Sequence, residues 1–311
     1  MKYLNEVFQK TLVRTISTLH AQFNWIPALI IFLFLSIIFS SCLKEKLNNN
    51  PDDLTNQQKM HRLNIQDPFI WNSLATQSIQ LPNDEDSLTK SAQVSRIQEY
   101  PKGENYYFAL FEDLFPSEGD YDFNDVMIRS KLNLEKRRNT VRGFINSTLL
   151  NRGGSLPLEI GLMFYEVQGN KYTRISNKNI SYINSGKNPP TGSEPWSIPL
   201  DELGDSWSIN FSLTQKRGDL WINYFIKTTE GEIMTSGFAP PHVEEFTLPH
   251  PSYLTEYNLP WGLEIETDEL AIPNEKELFL NAYPAFEEWA KSGGTKNKKW
   301  YESPDPDYTW K

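Results

Sequence analysis

Cysteine occurs once in the chain, at Cys42, so no intramolecular disulfide can form and no cysteine-based zinc cluster is possible. Basic residues are in deficit: 30 Lys and Arg stand against 40 Asp and Glu, a formal net charge of -10 with a pI of about 5.0. Such a field repels a phosphate backbone unless a local basic patch overrides it, and nucleic acid is not an expected partner. A GxSxG elbow, a Walker loop and a dinucleotide fingerprint are also missing, which points away from an enzyme. A permanent membrane helix needs about 20 apolar residues. The longest run, "IPALIIFLFLSIIF" at 26–39, has fourteen. What is there is 311 residues, 39% hydrophobic and 13% aromatic, enough for one large core or two modest ones. Nine Trp and fourteen Tyr in an Asn-, Ser- and Pro-rich chain suit a secreted β-protein better than a cytosolic α/β enzyme.

The position of the cysteine gives it a use. Lys2, Lys10 and Arg14 precede the apolar run, and Ser40, Ser41 and Cys42 follow it. The segment resembles a bacterial lipoprotein signal, whose box here reads Phe39, Ser40, Ser41, Cys42, with Phe39 where Leu is usual. That resemblance implies a signal peptide over 1–41 and a lipidated, palmitate-bearing Cys42 as the mature N-terminus. It also implies a membrane partner through the lipid anchor and a place in the bacterial cell envelope, at the outer membrane. The alternative is an uncleaved, short signal anchor.

Residues 43–66 are polar and rich in Asn, Gln and charge, with too few apolar positions to seed a core. Together with a short apolar segment at 67–81 they predict a tether over 42–100 and a main domain over 101–311. In that domain the apolar period is two: Val126, Ile128, Leu132 and Leu134; Leu158, Ile160, Leu162 and Phe164; Trp207, Ile209, Phe211 and Leu213. Six or more strands without intervening helices predict an antiparallel β-sandwich, jelly-roll-like, in which "WSINFSL" and "LWINYFIKT" form a hairpin. The period then becomes helical at Leu278, Ala282, Phe286, Trp289 and Ala290, with Asn274 as cap, Pro284 as a break and Gly293–Gly294 as stop. This C-terminal helix is expected to pack on the sandwich.

Between two strands lies "FEDLFPSEGDYDFNDVMI", residues 111–128, with Glu112, Asp113, Glu118, Asp120, Asp122 and Asp125 inside fourteen positions. Side-chain oxygens at Asp120, Asp122, Asn124 and Asp125, in a loop that Gly119 lets bend, suit a hard cation that takes 6 to 8 oxygens. The spacing begins like an EF-hand loop but fails it: Asp125 stands where Gly is needed and Lys131 where the bidentate Glu is needed. Remaining ligands then have to come from elsewhere, and Glu112 and Asp113 are nearest. The competing reading is an Asx-rich turn whose carboxylates cap backbone N–H groups and face water.

The same stretch closely resembles the signature of the LruC-type domain family, "FEDLWPxxGDYDxNDxV", with Phe115 in place of Trp. That family is a domain of unknown function found in bacterial surface lipoproteins and secreted proteins. The resemblance extends to "NLPWGLEI", "AYPAFEEWAKSGG" and "KKWYESP", and so covers about residues 100–311. Extracellular β-domains with an FED and DxND pattern are regarded as calcium-binding. The resemblance therefore implies Ca2+ held by Glu112, Asp113, Asp120, Asp122, Asn124 and Asp125 in a structural role; the family has no settled activity to carry over, and binding or adhesion is expected rather than catalysis. A surface glycan or a protein is the expected binding partner. A carbohydrate-active hydrolase and a purely structural envelope protein are the alternatives. The segment "PHVEEFTLPH", with His242, Glu244, Glu245 and His250, matches no metalloprotease spacing. Trp196, Trp221, Trp261 and Trp300 are read as packing residues before sugar platforms, and the loop 184–196 as a candidate binding edge.

Overall fold

The computed structural model describes residues 54–74, 79–81, 97–154, 156–168, 171–175, 180–182, 197–199, 206–214, 219–235 and 253–311. The run 26–39, Cys42, the loop 184–196 and the segment 242–250 lie outside the described residues. Among the described residues no helix is long and apolar enough to cross a membrane.

In chain order the elements are α1 (Asn56–His61), β1 (Asn72–Ser73), β2 (Gln98–Tyr100), β3 (Tyr106–Phe111), β4 (Val126–Arg137), β5 (Thr140–Asn151), β6 (Glu159–Gln168), β7 (Lys171–Arg174), β8 (Ile180–Tyr182) and β9 (Ser197–Pro199). They continue with β10 (Ser206–Ser212), β11 (Asp219–Lys227), β12 (Glu232–Met234), β13 (Gly262–Thr267), β14 (Ile272–Pro273), α2 (Phe279–Ala282), α3 (Phe286–Lys291), a 3-10 turn (Trp300–Glu302) and β15 (Thr309–Trp310). The fold is mainly β. One eight-stranded sheet runs β1-β13-β3-β4-β5-β10-β8, with β2 also on β4, and a five-stranded sheet runs β12-β11-β6-β7, with β9 on β6. Pairing is antiparallel except for β1 on β13.

Alternation explains the layering. Ile128, Leu132 and Leu134 of β4 and Ile209 and Phe211 of β10 meet Ile160, Leu162 and Phe164 of β6 and Ile222 and Tyr224 of β11 in one core between the sheets. Phe164 and Phe211 face each other across it, ring centres 5.2 Å apart. The large sheet is covered on its other side as well: Phe108, Leu110, Met127, Leu263 and Ile265 lie beneath Phe279, Phe286, Trp289 and Trp300 of the C-terminal helices. Met127, which the one-faced reading of β4 leaves in solvent, is therefore fully buried.

Two further expectations change. Strands β10 and β11 do not form a hairpin: β10 pairs with β5 and β8, and β11 with β6 and β12, in different sheets. After β10 the chain crosses at Thr214, whose N–H and hydroxyl both donate to Glu166 Oε2 on β6, at 2.7 and 2.5 Å. The core also reaches upstream of residue 101. The compact unit runs Asn56–Lys311, and Met60, Leu63 and Trp71, assigned from sequence to the tether, are buried against the C-terminal helices.

Candidate metal centre

The acidic loop joins β3 to β4, which pair directly, Phe111 opposite Val126. Its two ends are therefore neighbours, and Asp113 N donates to Asp125 Oδ2 at 2.8 Å. Glu112 continues the strand by donating its N–H to Trp261 O, while its buried carboxylate turns into the loop. There Oε1 accepts from Phe123 N at 2.6 Å and Oε2 from Tyr121 N at 3.3 Å. Tyr121 and Phe123 hold left-handed φ values of 58° and 53°, which cost on the order of 1–3 kcal/mol each in non-glycine residues. Full burial of both rings in the helix-side core, and the Glu112 hydrogen bonds, oppose that cost. Gly119 is required by proximity, because a Cβ there would stand 2.0 Å from Glu112 Oε2.

Asp122, between Tyr121 and Phe123 in the chain, is itself buried. Its Oδ1 accepts from Asn124 N at 3.1 Å, and its Oδ2 from Lys276 N at 2.8 Å. Phe279 N donates to Tyr121 O, so the segment after β14 closes over the loop. Carboxylate oxygens of Glu112, Asp120 and Asp122 all lie within 4.8 Å of one another. Asp113, Asn124 and Asp125 stand beside this group rather than in it, toward the Asn151–Gly154 corner. Asn151 Nδ2 donates to Asn124 O, and Gly153 N to Asp125 O.

Burial pushes the Glu112 carboxyl well above the usual range, and the charges of Asp122 and Asp125 push it the same way against donation from Phe123 N. Asp122 is raised to about 7, by burial first and then by Asp120. Burial also lifts Asp125 to about 7, against the Asp113 N–H and with the Asp113 charge, and lifts Asp113. Two unit charges about 4 Å apart repel by roughly 4 kcal/mol at an effective dielectric near 20, so this loop favours whatever neutralises it, protons or a cation. The donors are oxygens throughout, which fits a hard cation such as calcium and not a soft one.

Sequence reading missed Glu275 and the Gly153–Gly154 pair. Glu275 lies far from the motif in the chain, and only the docking of the β14 segment brings its Oε2 within 2.8 Å of where a Gly153 Cβ would stand. The pair "GG" after a long strand was the available signal for a close approach. Trp221, Trp261 and Trp300 are buried in the cores and offer no exposed face to a sugar.

Residues 170–301 match the family described as a domain of unknown function, DUF4842. The match takes in β13 and the helices α2 and α3 but not the acidic loop. A crystal structure of a protein provisionally described as a lipoprotein, from Bacteroides ovatus, is similar at 17% identity over 67% of this chain and 76% of that one, with a TM-score of 0.39. No curated protein matches the chain.

Proposed function

We propose that this chain is a bacterial cell-envelope lipoprotein, held at the outer membrane through lipid on Cys42. Its β-sandwich is fixed by calcium and serves binding or adhesion, not catalysis. The observation that carries the metal part is the group Glu112, Asp120 and Asp122, with its oxygens within 4.8 Å and Glu112 and Asp122 buried. The lipobox-like segment and the LruC-type signature support the anchor and the surface location. Calcium supplies positive charge where carboxylates otherwise repel, so its binding free energy adds to folding. Glu112 holds the loop backbone through Tyr121 and Phe123, and Asp122 ties it to Lys276, leaving a surface glycan or protein to be met on other loops.

In thermal unfolding of the full chain, calcium at about 100 times its Kd adds roughly 2.7 kcal/mol, a rise of about 5–10 °C. Asp122→Ala removes the rise, and so does Asp120→Asn, which alters only a half-buried side chain. Equal melting in calcium and in chelator sinks the reading.

A further inference from the structure

The C-terminal helices cover the outer side of the large sheet over β13, β3 and the ends of β4 and β5. Farther along, the outward positions of β5 and β10 are open to solvent. Val141 and Ile145 of β5 and Ile209 and Phe211 of β10 point into the sandwich, so alternation turns Arg142, Phe144 and Asn146 of β5 and Ser208 and Asn210 of β10 outward. Phe144 is 43% exposed, the one large apolar side chain exposed among the described residues of β4, β5 and β10. Register sets it in the middle of a polar patch. Phe144 lies opposite Asn133 of β4 and Ser208 of β10, Asn146 opposite Lys131, and Arg142 opposite Glu135 and Asn210. An open aromatic ring bordered by amides and hydroxyls suits a sugar, whose C–H face packs on the ring while its hydroxyl edge takes the polar bonds. A protein partner calls for a cluster of apolar anchors, and this face offers one.

The charge of this patch runs against that of the chain. Net charge overall is -10, yet the outward positions of β4 and β5 carry Arg129, Lys131, Arg137 and Arg142 against Glu135, with Glu99 of β2 paired to Lys131 at 3.4 Å. Arg129 and Lys131 also sit over the Tyr106 ring, 4.7 and 5.0 Å from its centre. Glu135, its side chain 7% exposed, accepts from Arg137 Nε at 2.5 Å and from Arg142 Nε at 2.8 Å, while the two arginine side chains are 58% and 53% exposed. One buried carboxylate thus fixes two guanidinium groups that keep N–H donors to spare. Their planar forks match a carboxylate, and their order is set before any ligand arrives.

The geometry points to the outer face of β4, β5 and β10, centred on Phe144 and Arg142, as a binding site for a glycan that carries carboxylates. This rests on the binding reading above and puts the contact on a sheet face instead of loops. Phe144 stacks on one sugar ring, the neighbouring amides bond its hydroxyls, and Arg142 with Arg137 takes a carboxylate of the chain. Positive charge on this one face gives an acidic protein a place to meet an acidic polymer that the rest of its surface repels.

Calorimetric titration of the purified full chain with a short oligogalacturonate, its neutral methyl ester, poly-glutamate and oligo-dT tests this. The acid form is expected to bind, and the ester about tenfold or more weaker, because it forfeits the charged hydrogen bonds. Phe144→Ala weakens the acid form about tenfold, Phe144→Trp keeps it, and Arg142→Gln removes the preference for acid over ester. Both positions are exposed, so each variant should melt within a few degrees of wild type. Binding of the acid form unchanged in both Phe144→Ala and Arg142→Gln overturns this site and leaves the binding reading standing, as does equal affinity for acid and ester. Poly-glutamate or oligo-dT bound as tightly as the oligosaccharide overturns it in favour of an acidic protein or a nucleic acid. No binding of any probe overturns it as well, and the calcium and anchor readings then rest on their own tests.

Discussion

Glu264 stands on β13 with its carboxylate inside the sandwich, 2% exposed and 3.4 Å from the Thr235 hydroxyl, which can donate to it. Asn72 Nδ2 and Asn223 Nδ2 are buried without hydrogen-bond partners. Burial raises the Glu264 carboxyl to about 8, against the Thr235 hydrogen bond. The folded value lies above the unfolded one, so the folded state holds the extra proton. This contribution is full below about pH 4.5 and is lost as pH rises to 8, by about 1.4 kcal/mol per pH unit. Glu264→Gln should therefore flatten the decline of stability between pH 5 and 8, read from urea midpoints in wild type and variant. Identical slopes contradict it. Sequence alone hides this residue: in "GLEI" the alternation reads Leu263 and Ile265 as inward and Glu264 as outward. Both faces of β13 are covered, so all three are buried.

At the scale of elements, periodicity located most strands, and Pro284 and the glycines located the helix ends. The helical pattern divides into α2 and α3 around Pro284, and Gly293 and Gly294 take left-handed φ values of 62° and 78° at the stop. Asn274 is not the cap: its side chain donates to Asp307 O, because the chain first runs through β14 beside β15. Partner choice was the illegible part. A two-residue period says which face is buried, not which strand lies alongside, and β10 and β11 separated into two sheets for that reason. Phe279 ties the element scale to the loop, with ring contacts to Phe123, Phe286 and Trp300 at 5.1, 5.0 and 5.5 Å. Phe279→Ala should cost about 3–5 kcal/mol in chemical unfolding, and a loss under 1 kcal/mol would show that the helices merely rest on the sheet.

For the whole molecule, the acidic loop is where distant parts of the chain meet. Gln57 Nε2 of α1 donates to Glu118 O and Gly119 O at 3.0 Å each, and His61 Nε2 lies 2.7 Å from Glu118 Oε2. From the other end Lys276 N and Phe279 N reach Asp122 and Tyr121. Local composition announced the carboxylates, but nothing local announces the two segments that grip them, which is why Glu275 was invisible. The proposed anchor is tested at this scale too: Cys42→Ser should abolish labelling by a palmitate analogue in cells, and continued labelling would contradict the lipoprotein reading. The Asp122 to Lys276 bond also has a consequence in time. A ribosome makes the loop well before the residues that close it, so an unfinished chain has the carboxylates without their lid. Under the proposed calcium reading, ion retention would report that the closing segment has been made and folded, and a product truncated before residue 274 would lack that mark.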